Sequence, residues 1–507
     1  MNKLLKGLLV TALVVGTVNA DTNKTFLMPR SAGVNLPMEY TTFNELIQHK
    51  NGDFFGAHFQ VVPFYMDSTN GSDIGKYFGI AGKNTFVIGN STLVTAGTAD
   101  MNYGYIIHNI ATAATAGVAT LNFDPELQAY GARIDYYQDL EKILDGLYLK
   151  VALPIVHTET KINRTVSSVT ASNNLTEAHL NEYFAGTYSQ DIADANAQAV
   201  LEHAKRDGSH SETSVADIDV VLGYKIWDKE KYSFALNLGL TIPVGNDADG
   251  DWAFEPIVGN GDHWGFGGGL DAMVRLWKKN DQDIKLTLAA NYRYLFSGTE
   301  KRTLGLNDVD GVEVPFGQYY LAATIGDIRR TQQLQPVANL LTQDVKVETG
   351  SQLDAELYFT YNNGGWNVEL GYNLFYKDSE DVSLKNAWSD GVYGIAFIDQ
   401  TFATGGDGTF VASADGTAAV GANGGSRGLI NNTPTNTALG QTTRAYGINT
   451  HVAESASQFT NKIFGGVGYI FREWEYPMML NISGAYEFAD RDAIENWQIW
   501  GKIGVKF

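Results

Sequence analysis

The amino-acid sequence predicts a single antiparallel transmembrane β-barrel of twelve strands. Three observations carry this prediction: segments that alternate between apolar and polar residues, the pairing of these segments across short polar turns, and aromatic residues at the segment ends. Successive side chains of a strand point to opposite faces, so each segment has one apolar and one polar face. The apolar faces are long enough to cross a bilayer, which takes about 9–11 tilted residues.

The clearest alternation runs over residues 232–244. One face carries only apolar or aromatic side chains: Tyr232, Phe234, Leu236, Leu238, Leu240 and Ile242. The other face is small or polar. Residues 284–296 repeat the pattern, with Lys285, Thr287, Asn291 and Arg293 on the polar face.

Twelve such segments follow one another along the chain. The predicted strands are 56–66, 127–138, 146–157, 215–227, 232–244, 264–277, 284–297, 351–361, 366–377, 457–472, 478–489 and 497–507. The turn 362–365, Asn-Asn-Gly-Gly, is a strong β-hairpin signal. Short turns at one end and long connections at the other are typical of barrels in outer membranes. A further hairpin over 77–81 and 85–88 would make fourteen strands, which is the alternative count.

Aromatic residues cluster at the ends of these segments, as they do at the two interfaces of a membrane barrel. They are Tyr224, Trp227, Tyr232, Trp264, Tyr292, Tyr294, Phe296, Tyr358, Tyr361, Trp366, Tyr376 and Trp497.

Composition excludes several function classes. The 507 residues include 36 Lys and Arg, 57 Asp and Glu, and no cysteine, for a formal charge of −21. Disulfides and cysteine-ligated metals are therefore excluded. The acidic balance argues against a nucleic-acid partner, since such proteins need a basic face to neutralise phosphates.

The N-terminus reads as a secretory signal peptide over residues 1–20. Lys3 and Lys6 precede an apolar stretch, 8–18, and small residues close it at 18–20. Residues 21–55 are predicted to be a periplasmic or lumen-inserted segment, and residues 56–507 the barrel. No later stretch approaches the ~18 apolar residues that a transmembrane helix needs.

The last strand resembles the C-terminal strand of Gram-negative outer-membrane β-barrel proteins. Such strands end in an aromatic residue, usually Phe, after apolar residues at alternate positions, here Trp497, Ile499, Ile503, Val505 and Phe507. The resemblance implies an outer-membrane location among its lipids, a porin-like body, and recognition by the barrel-assembly machinery through Trp497 and Phe507. It assigns no narrower family and leaves the oligomeric state open.

Ionisable residues on the inward faces are the candidate pore-lining residues. On the lipid face, Arg or Lys would cost about 2–4 kcal/mol, so these positions indicate a wet interior. They are Arg133, Lys150, Asp219, Asp271, Arg293, Glu356, Glu369, Lys462 and Lys502.

Around a twelve-stranded barrel, bases would line one wall and acids the opposite wall. The facing pairs are Arg133 with Glu356, Lys150 with Glu369, and Lys502 with Asp271. Such walls create a transverse field that orients solutes and sets ion selectivity. The alternative is that the charges pair into a network that plugs the lumen, since a barrel of this size lies between filled and open barrels.

Three functions are consistent with this fold. The first is passive diffusion of small hydrophilic solutes through a water-filled pore. The second is transport of hydrophobic compounds, resembling the long-chain fatty-acid transporter family, whose barrel is plugged by an N-terminal hatch. Inward-facing Val62, Phe64, Phe375 and Phe464 favour it, and the lack of an Asn-Pro-Ala start in residues 21–55 argues against it. The third is a surface structural protein or adhesin.

The loops carry two further candidates. In 158–214, Ile192, Ala195, Ala199 and Leu201 fall near helical spacing and predict a helix that folds inward or caps the rim. The Gly-, Thr- and Asn-rich residues 404–443 predict a mobile surface loop.

Asp247, Asp249 and Asp251 alternate like calcium ligands, but Trp252 stands where an EF-hand needs Gly, so a solvated acidic loop is the main interpretation. None of the nine His lies in a Gly-x-Ser-x-Gly or His-Glu-x-x-His context. The sequence therefore predicts no enzyme, no cofactor and no metal.

Overall fold

The computed structural model describes residues 23–48, 56–89, 93–94, 96–107, 117–170, 176–189, 198–308, 310–324, 334–396, 428–436, 444–490 and 492–507. They form a closed antiparallel barrel of twelve strands, which confirms the predicted fold class. The strands are β1 Ala57–Ser68, β2 Glu126–Asp139, β3 Leu147–Lys161, β4 Ile218–Lys229, β5 Tyr232–Ile242, β6 Gly265–Lys279, β7 Gln282–Leu295, β8 Gly350–Asn363, β9 Trp366–Lys377, β10 Gln458–Phe471, β11 Met478–Asp490 and β12 Asn496–Lys506. Among the described helices, none has the length and apolar character to cross a membrane.

Each strand pairs with its neighbours in chain order, and β1 pairs with β12 to close the ring, with Val61 opposite Ile503. The wall changes partner at one place. β3 pairs with β4 as far as Ala152, and beyond Pro154 it pairs with a separate strand, Ser209–Val215. Proline has no N–H to donate, and the ladder breaks there.

The alternative of fourteen strands is wrong. Tyr77 lies in a helix, Gly71–Phe78, and Thr85–Gly89 pairs with Val118–Asn122 in a small sheet that is not part of the barrel wall. These residues pack among the long loops and do not join the barrel wall.

The outer wall of the barrel is apolar and the inner wall polar. Along β5, Leu236 and Leu238 are 47% and 59% exposed, whereas Ala235 and Asn237 between and beside them are buried. The predicted girdle residues are exposed at the strand ends, except Tyr358, which faces inward and is 1% exposed. Hydrocarbon offers no water to bond the backbone N–H and C=O groups of a strand. These groups are all hydrogen-bonded only when the sheet closes on itself.

The long loops fold into a cap over the outer end of the barrel, opposite the short turns. Its apolar core includes Phe78, Phe123 and the stacked rings of Phe86 and Phe316, whose centroids are 3.9 Å apart. Its helices are Gly71–Phe78, Glu177–Ala185 and Val337–Leu341. Its short strands are Thr85–Gly89, Met101–Asn102, Val118–Asn122, Thr165–Thr170, Ser209–Val215, Gly298–Thr303, Gly305–Asn307, Glu313–Val314, Leu321–Thr324, Gln335–Pro336, Thr342–Glu348, Asp381–Leu384, Tyr393–Ala396, Leu429–Asn431, Thr435–Asn436 and Arg444–Asn449.

The predicted helix of the second long loop lies elsewhere. The helix is Glu177–Ala185, capped by the Thr176 side chain and ended by Gly186 at φ 75°. Ala199 and Leu201 lie outside any helix, and Ile192 and Ala195 fall outside the described residues. The N-terminal capping by Thr176 and the termination at Gly186 determine the position of this helix. The weak apolar spacing over 192–201 does not produce one among the described residues.

The signal peptide and most of the loop 404–443 also lie outside the described residues, so both stay predictions.

The lipid-facing position of Leu238 can be tested by charge. We expect Leu238→Lys to lower the free energy of unfolding in liposomes by about 2–4 kcal/mol, because a lysine at mid-strand faces hydrocarbon. Ile143→Lys, in the exposed turn between β2 and β3, is the matched control and should change it little. Equal effects of the two substitutions would contradict the membrane-spanning orientation.

Candidate functional site

Residues 23–48 lie inside the barrel and are called the plug below. They run from the cap to the short turns and include two short helices, α1 Leu36–Tyr40 and α2 Phe43–Gln48. Pro37 stands in the first turn of α1, where its missing N–H costs nothing. The contacts of residues 23–48 with the inward faces of the strands follow, from the outer end of the plug to the lower one.

The outer end of the plug is bonded to the cap. The backbone N–H of Asn23 donates to Gly79 O at 2.6 Å, and that of Thr25 donates to Val452 O at 2.7 Å. The Tyr77 hydroxyl donates to Phe26 O at 2.9 Å. Plug and cap therefore form one packed unit rather than two surfaces in loose contact.

A buried ionic cluster closes this end. Arg302 bridges Glu300 and Glu380 and lies over the ring of Phe26, 3.1 Å from its centroid. His263 Nε2 lies 2.8 Å from Glu300. Burial lowers the pKa of His263, but the hydrogen bond and charge of Glu300 outweigh this and hold the pKa above its usual value. The His263–Glu300 pair therefore stabilises the folded protein fully at pH below about 6.5, the usual pKa of histidine in an unfolded chain. This stabilisation is lost as the pH rises through the raised pKa of His263.

Halfway down, Arg30 fixes the plug to three strands. Its guanidinium pairs with Asp354 of β8 at 2.8 Å and Glu487 of β11 at 2.9 Å. It also lies 4.5 Å from the ring centroid of Phe375 on β9. All of these groups are at least nine-tenths buried, so each charge depends on the others for compensation.

Glu39 of α1 joins the plug to the opposite wall. It pairs with Arg133 of β2 at 2.7 Å and with Lys150 of β3 at 3.2 Å. Arg133 is held in place by a second partner, Asp135, at 2.7 Å. Two of the predicted bases thus meet a carboxylate of the plug instead of one across the lumen.

The residues after Glu39 bind acids and bases of the wall. The Tyr40 hydroxyl donates to Asp271. Lys502 donates to Thr41 O at 2.7 Å, and the Thr42 backbone N–H donates to Glu369 Oε1 at 2.8 Å.

At the lower end, Glu45 of α2 pairs with Lys285 at 2.7 Å. The plug therefore has polar contacts along its whole described length.

The nine predicted pore-lining residues all face inward, but they do not form two bare walls across water. Five contact the plug: Arg133, Lys150, Asp271, Glu369 and Lys502.

The other four lie beside it. Asp219 and Arg293 pair with each other at 3.3 Å. Lys462 pairs with Glu487 at 3.1 Å. Glu356 is buried, and neither carboxylate oxygen has a hydrogen-bond partner among the described residues.

The four inward apolar residues are buried. Val62, Phe64 and Phe464 belong to the same apolar cluster as Leu36 and Met38 of the plug. Phe375 lies under Arg30. Plug residues cover part of this apolar surface.

A cavity of about 150 Å³ lies beside the plug. Aromatic side chains of Tyr40, Phe43 and Tyr148 line it, together with the Asp219–Arg293 pair. The lumen is thus filled along one side and retains space of small-molecule size along the other.

Several site residues were missed from the sequence: Arg30, Glu39, Glu45, Asp354 and Glu487. Asp354 and Glu487 share the inward alternation of their strands and could have been included on that ground. The plug residues carried no comparable signal, because a short polar segment without periodicity does not indicate where it packs.

The three aspartates of the 245–263 loop do not surround a common point. Asp249 accepts from the Asp251 backbone N–H at 2.9 Å, and Asp251 lies 2.9 Å from His203. No group of three or more potential metal ligands occurs in the described part of the chain.

The contribution of Glu39 to holding the plug against the wall can be measured through the accessibility of a plug residue to a thiol reagent. The chain has no cysteine, so Ser31→Cys gives a single thiol inside the plug. We expect Glu39→Gln in that background to lower the free energy of opening the plug by about 3 kcal/mol, because Arg133 and Lys150 lose a buried partner. Maleimide labelling of the thiol should then be roughly a hundredfold faster.

Glu473→Gln, in a short exposed turn, is the matched control and should leave the labelling rate unchanged. An unchanged rate in Glu39→Gln as well would show that the ion pairs do not hold the plug.

No family model and no curated protein matches the chain. Among solved structures, the toluene transporter TodX of Pseudomonas putida is similar at 9% identity and TM-score 0.31, covering 96% of this chain and 95% of that one. A FadL homologue of Pseudomonas aeruginosa gives 7% identity and TM-score 0.27, covering 97% and 98%. The porin NanC gives 9% and 0.25, covering 75% and 93%. These values are too low to assign a solute or a family to this chain.

Proposed function

We propose that this protein is an outer-membrane channel that its own N-terminal plug closes, and that small hydrophilic solutes diffuse through it once the plug shifts. Assembly by the barrel-assembly machinery and contact with outer-membrane lipids belong to the same proposal. The observation that carries it is the ionic attachment of the plug to the wall, through Arg30, Glu39 and Glu45.

This attachment suits a reversible closure. Buried ion pairs add little net stability, because the cost of removing both charges from water offsets their attraction. When water enters the lumen, the separated charges are solvated again, which offsets the loss of their ion pairs. An apolar plug would instead expose apolar surface to water, which is unfavourable. A barrel with a purely structural role would gain more from an apolar interior.

The wall left behind would be polar and charged. Asn237, Asn291 and Asn373 face inward together with the nine charged residues. Such a wall conducts hydrophilic solutes and ions.

Transport of hydrophobic compounds is the second candidate, and the cavity favours it. Its aromatic lining, with Tyr40, Phe43 and Tyr148, would bind a small apolar solute beside the plug. An adhesive role of the cap is the third, and no contact described above favours it over transport.

Planar bilayers test the closure. We expect the complete protein to give rare, brief conductance steps and a variant lacking residues 23–48 to give long-lived ones, since the deletion frees the lumen. Glu473→Gln serves as the control and should behave like the unchanged protein. Absence of steps from both forms would refute a channel, and identical steps from both would refute closure by the plug.

The class of solute is tested separately in proteoliposomes. We expect the plug-deleted variant to support swelling in small sugars, with uptake of a radiolabelled hydrophobic compound no faster than in protein-free liposomes. The opposite pattern, uptake without swelling, would favour the hydrophobic-compound transporter.

A further inference from the structure

A groove of about 410 Å³ lies on the outside of the barrel wall, where β7, β8 and β9 continue into the cap. The wall there is a three-stranded sheet of Gly298–Thr303, Thr342–Glu348 and Asp381–Leu384. Two lysines and three hydroxyl side chains line the groove, with no carboxylate among its lining residues: Ser297, Gly298, Thr299, Lys346, Ser383, Leu384 and Lys385.

The register places the polar groups in one row. Thr299 is opposite Lys346, and Lys346 is opposite Ser383. The flanking residues Val345 and Val347 are fully buried on the inner face, so this row points away from the lumen.

The groove lies directly above the lipid-facing aromatic residues. Tyr294 and Phe296 at the outer end of β7 are 44% and 50% exposed. Thr299 is three residues further along the chain, about 10 Å along a strand and roughly 8 Å along the membrane normal after tilt. The polar headgroup layer of a leaflet is about 5–8 Å thick, so the lysines stand at its level.

The lining residues of the groove carry two positive charges in a protein whose formal charge is −21, and two acidic residues, Glu348 and Asp381, stand beside them. The Lys346 ammonium pairs with Glu348 at the rim, 2.5 Å away and half-exposed. The Lys385 ammonium shows no ion pair with any described residue. A cation at this depth attracts the anionic group of a lipid, and each lysine near an anionic surface contributes about fivefold in affinity.

We propose that this groove binds the phosphate of a phosphorylated glycolipid in the outer leaflet, with Lys346 and Lys385 as its cationic contacts and Thr299 and Ser383 as hydrogen-bond donors. The proposal uses the outer-membrane location and is independent of transport. The site fixes a lipid to the rim beside β8, on the face opposite the plug.

The test uses the complete protein in detergent and bisphosphorylated lipid A as the probe, with binding measured by native mass spectrometry. We expect Lys346→Ala/Lys385→Ala to weaken binding about 25-fold. The matched control, Lys278→Ala/Lys279→Ala, removes the same charge from the exposed end of β6, at the other end of the barrel, and should stay within twofold. Glu348→Gln should strengthen binding severalfold, an increase that misfolding cannot produce.

Two further probes identify the ligand. Dephosphorylated lipid A should bind the unchanged protein as weakly as the phosphorylated form binds the double lysine variant. Inorganic phosphate alone should not bind at millimolar concentration. Equal binding of both lipids, equal effects of the two double variants, or binding of inorganic phosphate without the lipid would each overturn the proposal. Conductance of the lysine variants should be unchanged, which separates this result from the channel proposal.

Discussion

The structure depends on one electrostatic constraint: charges buried between the plug and the wall are stabilised by partners, and eight of the nine predicted pore-lining residues have one among the described residues, Glu356 being the exception. Leaving a buried ion without compensation costs several kcal/mol. The inward faces of the strands carry many ionisable groups, and the plug supplies counter-charges and hydrogen-bond donors to five of those predicted. The plug is thus part of the electrostatic balance of the barrel.

The cap completes the closed state at the other end. Its apolar core is continuous with the apolar residues of the plug, and it holds the first described residues of the plug by backbone hydrogen bonds. Backbone bonds of this kind resist sliding, since each displaced N–H would be left buried and unpaired. Ionic contacts therefore dominate in the middle of the plug and backbone contacts at its outer end.

The strands could be predicted from the sequence because period-2 alternation is a local property. Each of the twelve predicted segments overlaps an observed strand, and the inward position of Arg133 or Lys502 follows from the same count. Tyr358 shows the limit of this reasoning, because its aromatic character suggested a girdle position while its place in the alternation put it inside.

The partners of the charged residues could not be predicted in this way. Alternation predicts whether a side chain faces the lumen or the lipid. It does not predict which part of the chain occupies the lumen. Glu39 lies 94 residues from Arg133 in sequence, and no local pattern connects them. The cap was equally hidden, since its strands are short and belong to separate sheets.

The path of the plug has a consequence for biogenesis. Its beginning is tied into the cap, and its last described residues lie toward the opposite rim, where Gly56, just before β1, donates its backbone N–H to Phe507 O. Sliding it through a finished cylinder would drag Arg30 past wall groups that bind other plug residues. The plug is enclosed more simply if β1 and β12 are the last strands to pair, because the other strands can then assemble around the plug. The N-terminal stretch would in that case be enclosed while the wall forms, with pairing of β1 and β12 as the last step of folding.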